Sequence, residues 1–220
     1  MKYYKLPAKI SALIFDMDGT LYTHDAYLRF QIDSPIERLA NIRGLSFEKM
    51  KEEIAGFRRH WAETHGGKQV SLGNLFKEAF GISIEESIRW REELYEPAQY
   101  LKPDLKLRET LASLSASSLT LGVLTNNPVL VARKTLACLG VEDLFPVIVG
   151  LDTCGVSKPH EKPLRRAAEL LGAPVEACVS IGDRYDIDLA LPLELGMGGI
   201  LVDGVEDVYK VPSILPGGTA

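Results

Sequence analysis

The hydrophobic positions of this chain fall into short unbroken apolar runs, separated by longer amphipathic stretches. Five runs predict buried strands: Ala12 to Phe15, Leu119 to Leu124, Pro146 to Val149, Cys178 to Ile181 and Ile200 to Val202. Between the later runs, apolar residues recur at helical spacing. Leu107, Leu111 and Leu114 form one such set, and Val131, Leu136 and Leu139 another. A third holds Leu164, Ala167, Ala168 and Leu171, with Gly172 as its C-terminal stop. Strands alternating with helices of this length predict an α/β fold, a parallel sheet with helices on both faces.

The stretch from Thr23 to Tyr100 has another rhythm, with helical periodicity and no clear strand. Ser34-Pro35 reads as an N-cap followed by proline at the first helical position. Ser46 opens a charged amphipathic helix running to about Thr64, and Gly66-Gly67 breaks it. Shorter helices follow over Leu72 to Phe80 and Ile84 to Leu94, and Pro97 and Pro103 mark the return. The expected organisation is an α/β core of residues 1–22 and 101–220, interrupted by a helical insertion of residues 23–100. The segment Pro212 to Ala220, with Pro216-Gly217-Gly218, reads as a loose tail.

Composition narrows the classes of function. At 220 residues the chain is long enough for a sizeable core, and its net charge of -5 gives no basic surface for nucleic acid or anionic membrane. No stretch approaches the roughly 18 apolar residues of a membrane helix. Cys138, Cys154 and Cys178 lack metal-ligand spacing and read as reduced thiols of a cytoplasmic protein. No feature of the chain sets an oligomeric state.

Four motifs carry chemistry. The first strand runs into Asp16-Met17-Asp18-Gly19-Thr20, and on an extended backbone residues two apart face the same side. Asp16 and Asp18 therefore face one substrate together. Two carboxylates so close need a cation, a shared proton or shifted pKa values, and Mg2+ between a nucleophile and an acid/base would meet that need. The second motif is Leu124-Thr125-Asn126-Asn127-Pro128, where a strand ends before a helix; there a hydroxyl and turn amides donate to phosphate oxygens, and an asparagine caps the helix. The third is Ser157-Lys158-Pro159, whose ammonium offsets phosphate and carboxylate charge; Lys162, also followed by proline, is its competitor. The fourth is Gly182-Asp183-Arg184-Tyr185-Asp186-Ile187-Asp188. Pro192, falling where the next helix should run, predicts a late start and an irregular segment.

These motifs, in this order, resemble those of the haloacid dehalogenase-like superfamily, and the resemblance covers residues 11 to 202. It implies a Rossmann-like parallel-sheet core with an inserted helical cap. It implies a Mg2+-dependent phosphatase acting on a small phosphate ester, with Asp16 as nucleophile and Asp18 as general acid/base. Thr125, Asn126 and Lys158 would hold phosphate. Asp16, the main-chain carbonyl of Asp18, and Asp183 would hold Mg2+, with Asp188 orienting a metal water or Lys158 from behind. Dehalogenases of this fold lack the second aspartate, so Asp18 favours phosphate chemistry. A phosphomutase, or a silent protein that only binds phosphate ligands, would use the same residues. The start Asp18-Gly19-Thr20-Leu21-Tyr22 resembles pyrimidine nucleotidases, which makes nucleoside monophosphates one substrate class. Tyr22, His24, Asp25 and Tyr27 read either as lining the substrate entrance or as packing. His60, Trp61, His65 and Trp90, in helical stretches, read as structural packing or a solvated face.

Overall fold

The apolar runs assemble into one six-stranded sheet, and the amphipathic stretches become helices. The computed structural model describes residues 1–67 and 69–215. Strands are β1 (Lys2–Tyr4), β2 (Ala12–Phe15), β3 (Thr120–Leu124), β4 (Val147–Val149), β5 (Cys178–Gly182) and β6 (Gly198–Leu201). Helices in the first half are α1 (Asp25–Arg43), α2 (Phe47–Thr64), α3 (Leu72–Phe80), α4 (Ile84–Leu94) and α5 (Leu105–Ala116). The second half adds α6 (Val129–Leu139), α7 (Leu151–Cys154), α8 (Glu161–Leu170), α9 (Ala190–Glu194), α10 (Val205–Val208) and α11 (Val211–Ile214). The chain divides into two units, Met1–His24 with Glu96–Ala220, and Asp25–Tyr95.

In the α/β unit the strand order is β1-β6-β5-β2-β3-β4. All pairings are parallel except β1 with β6. The antiparallel edge strand β1 is a departure from the all-parallel expectation: three residues carry no periodicity, and only pairing with β6 makes them a strand. On one face, Ile14, Leu124, Val149 and Met197 pack with Leu164, Ala167, Ala168 and Leu171 of the α8 segment. β2 lies between β3 and β5, with Phe15 opposite Val123 on one side and Ile181 on the other. The motif-bearing ends of these three strands are thereby brought level.

The helical unit holds α1 to α4 around Ile36, Leu39, Met50, Ile54, Leu75, Phe76 and Trp90. Ser46, Ser71 and Ser83 cap α2, α3 and α4 by accepting from the amide three residues on. The expected helix start at Ser34-Pro35 is corrected: Pro35 lies inside α1. A proline there cannot donate to the carbonyl four residues back. That carbonyl, of Gln31, instead accepts the Tyr95 hydroxyl. The vacancy left by proline is filled from the other end of the unit's sequence, which a local reading of α1 cannot see.

Pro192 presents the same problem in the α/β unit. Residues Tyr185–Leu189 form a single π-helical turn before α9, so Pro192 falls in the first turn of a short helix. The Asp188 carbonyl, which proline cannot reach, accepts the Ser180 hydroxyl at 2.8 Å. The expected loose tail is corrected over Val211–Ile214, which is helical; residues 216–220 lie outside the described residues. All three cysteines are free. Among the described residues no helix is long and apolar enough to cross a membrane.

Candidate active site

Asp16, Thr125 and Asp183 are the residues that follow β2, β3 and β5, at the carboxyl edge where open parallel sheets bind ligands. Asp16 N donates to the Ile181 carbonyl at 2.7 Å, and Thr125 N to the Val149 carbonyl at 3.0 Å. The backbone thus stays in register up to the site. Beyond Asp16 the chain turns tightly, with Leu21 N donating to Met17 O at 2.9 Å. Gly19 has φ of +80°, and a Cβ placed on it would lie 2.7 Å from Asp183 Oδ2. Only glycine lets this turn approach Asp183 so closely.

Lys158 is 3% exposed and joins two of the predicted residues. Its Nζ donates to Asp16 Oδ1 at 2.5 Å and to Asp188 Oδ1 at 2.7 Å. Burial alone would pull the ammonium pKa down, but the two carboxylates reverse this and hold it up. Burial pushes the Asp16 carboxyl up to about 7; Lys158 opposes this, and the charge of Asp188 adds to it. Asp188 is fixed further by the Arg184 amide at 3.1 Å. A Cβ on Gly182 would collide with the Asp188 side chain, so this glycine makes room for it. Lys162 is turned elsewhere and donates to the Cys154 carbonyl at 3.0 Å.

Asp18 faces the other side of the site. Its Oδ2 accepts Asn127 Nδ2 at 2.9 Å and lies 3.5 Å from Thr125 Oγ1, and its Oδ1 accepts the Tyr22 hydroxyl. Asn127 therefore does not cap α6. The Asp152 carboxylate takes the Val129 amide at 2.9 Å instead. The Asn126 side chain is engaged within the protein. Its Oδ1 accepts Lys158 N at 2.6 Å and its Nδ2 donates to Lys158 O at 3.3 Å. With both ends of the amide committed, Asn126 ties the lysine loop to the end of β3.

Asp16, Asp183 and Asp188 each place a carboxylate oxygen within 4.8 Å of the others. The Asp18 carboxylate lies outside this group. These residues suit Mg2+ on three counts. The donors are all oxygen, as that ion prefers. Asp183 Oδ1 is buried without a hydrogen bond, having only Arg184 Nε at 3.6 Å. When ionised, Asp16, Asp18, Asp183 and Asp188 exceed Lys158 and Arg184 by two negative charges, the charge of one divalent cation. Burial and Asp188 both raise the Asp183 pKa, the penalty a bound cation would relieve.

Sequence reasoning gave Asn127, Ser180 and Arg184 no part in fixing the catalytic carboxylates and Lys158. Only Ser180 had a legible signal, since Pro192 announces an unsatisfied carbonyl at Asp188. Of the residues set at the entrance, Tyr22 contacts Asp18, and the His24 ring stands edge-on to Tyr100 at 5.8 Å. Asp25 opens α1, and Tyr27 is fully buried. Trp61 stacks on His65, and Trp90 packs in the helical core with its indole on Glu86, as structural roles require.

A family model for haloacid dehalogenase-like hydrolases matches residues 10–193. The chain is 32% identical over 232 aligned positions to a phosphoglycolate phosphatase of Pectobacterium atrosepticum, covering 92% of each. It is 30% identical over 176 positions to one of Aquifex aeolicus, covering 78% of this chain and 75% of that protein. In fold it resembles a HAD phosphatase from Thermococcus onnurineus, with a TM-score of 0.62 at 20% identity over 95% of this chain and 99% of that one. A chain matched over most of its length, with two aspartates just beyond β2, belongs to the haloacid dehalogenase-like hydrolases and is a phosphatase among them.

Proposed function

We propose that this phosphatase is Mg2+-dependent and hydrolyses a small phosphorylated metabolite through an aspartyl phosphate on Asp16. The observation that carries this reading is the cluster of buried Asp16 and Asp188 with half-buried Asp183, Lys158 bridging the first two. Asp16 attacks phosphorus in line, and Asp18 protonates the departing alkoxide. Asp18 then takes a proton from water as that water attacks the phosphoaspartate, releasing phosphate and restoring Asp16. Lys158 and Thr125 balance and hold the non-bridging oxygens, since phosphoryl transfer depends mainly on positioning and electrostatics. Asp16, Asp183 and the Asp18 carbonyl would hold Mg2+, which supplies charge neutralisation for the phosphoryl group when bound. Tyr22 and Asn127 orient Asp18.

The inserted helical unit takes the cap role in this reading. The names of the relatives favour phosphoglycolate over a nucleoside monophosphate as substrate. Three free cysteines support a reducing, cytoplasmic setting. The test is phosphate release from phosphoglycolate, nucleoside monophosphates, sugar phosphates and an aryl phosphate, with and without Mg2+. Mg2+-dependent release with phosphoglycolate ranked first, lost in Asp16→Asn with the fold retained, is the expected result. Normal turnover by Asp16→Asn would refute the nucleophile, and a phosphate moved to a new position on the product would indicate a mutase.

A further inference from the structure

Arg91 on α4 is 6% exposed, and its Nη1 is buried without a hydrogen-bond partner. Among the described residues no carboxylate forms an ion pair with it. Burying a guanidinium without an anion is costly, and buried charges are normally paired. The ion pairs of the other arginines in the helical unit lie toward the surface: Arg38 with Glu93, Arg43 with Glu53, Arg89 with Glu86. Arg91 alone among these four is buried.

The guanidinium is directed at the amino end of α3. A Cβ placed on Gly73 would lie 3.6 Å from Nη2 and 3.9 Å from Nη1, so only the missing side chain separates the cation from the backbone there. In this first turn, Ser71 Oγ accepts Asn74 N at 3.2 Å and the Ser71 carbonyl accepts Leu75 N at 2.9 Å. The amides of Leu72 and Gly73 are first-turn donors with no acceptor inside the helix. A buried, unpaired guanidinium thus meets free amides and the positive end of a nine-residue helix.

We infer that the helical unit carries an oxyanion site of its own, formed by Arg91 and the amides of Leu72 and Gly73. The planar fork of arginine matches two oxygens of a carboxylate or a phosphate. Gly73 keeps the backbone accessible from the side the guanidinium occupies. The site involves no residue of the Asp16 cluster and stands whether or not the phosphatase reading is right.

The test is an amide NMR titration of the full chain with sodium glycolate and, separately, with inorganic phosphate, against chloride at equal ionic strength. The Leu72 and Gly73 amides report this site, and those of Thr125 to Asn127 report the α/β unit. The expected result is saturable shifts at Leu72 and Gly73, weakened roughly ten- to hundredfold in Arg91→Met and partly kept in Arg91→Lys. The arm with the tighter response identifies the oxyanion as carboxylate or phosphate. Wild-type Leu72 and Gly73 amides that ignore both anions overturn the proposal, even if no variant folds. So does equal affinity in wild type and Arg91→Met. Shifts confined to Thr125 to Asn127 overturn it while leaving the proposed function intact.

Discussion

Replacing Lys158 with methionine removes one charge while keeping most of the volume, in a place where charge is almost all the residue supplies. The ammonium is buried and donates to Asp16 at 2.5 Å and to Asp188 at 2.7 Å. Deleting one member of a buried, hydrogen-bonded ion network costs about 3–5 kcal/mol, because the remaining charges stay buried and now repel. With a urea dependence of about 3 kcal/mol per molar, the midpoint should fall by roughly 1–2 M. The loss carries a pH signature. A carboxyl whose folded pKa lies above its unfolded value weighs against the folded state at high pH, and the penalty fades as pH falls through the folded pKa. Burial already holds Asp16 at about 7 with Lys158 beside it, and without Lys158 it rises further. The deficit of Lys158→Met relative to wild type should therefore be full in strongly alkaline buffer and shrink as pH falls toward about 7. Urea unfolding in metal-free buffer, followed by far-UV circular dichroism on both sides of that value, measures it. An unchanged midpoint would remove Lys158 from its place as the counter-charge. A deficit of equal size at every pH would assign the loss to packing.

Tyr95→Phe should destabilise the helical unit by about 1–3 kcal/mol, because the Gln31 carbonyl loses its hydroxyl donor. Adding Pro35→Ala should recover much of this, since an alanine amide can reach Gln31 within α1; both tryptophans lie in this unit, so their fluorescence follows the thermal unfolding, and additive effects would refute the coupling. Gly19→Ala should cost about 1–2 kcal/mol in backbone strain and displace Asp183, so phosphate release should fall sharply and Mg2+ binding by calorimetry should weaken; wild-type Mg2+ affinity in this variant would contradict the close approach. Burial pushes the Cys178 thiol up to about 11, so near pH 8 only about one in a thousand is thiolate, and alkylation followed by mass spectrometry should mark it only after unfolding. Rapid native labelling would contradict that burial.

Much of this molecule is local and therefore legible in the chain. The spans of α3 and α4 follow from period, serine caps and bounding residues, and the structure keeps them at Leu72–Phe80 and Ile84–Leu94. β2 and its paired aspartates follow from four apolar residues that have no other use. The irregular turn before α9 follows from Pro192, a covalent constraint written in one residue. Other features depend on partners distant along the chain. Inside α1, Pro35 leaves the Gln31 carbonyl to Tyr95, far along the chain. Lys2–Tyr4 became a strand only because β6 offered an edge.

The division runs through the site as well. The chain alone pointed to Asp16, Thr125 and Asp183 as neighbours, because motifs at strand ends converge once strands lie parallel and in register. Tertiary structure alone decided what each side chain does on arrival. Asn126 is spent on the Lys158 backbone, and Asn127 turns to Asp18 because Asp152 had already taken the Val129 amide. Arg91 arrives beside α3 with no ion-pair partner among the described residues. Residue type sets what a group is able to bond, but hydrogen bonds and charges are settled by competition among neighbours, and those neighbours are chosen by packing.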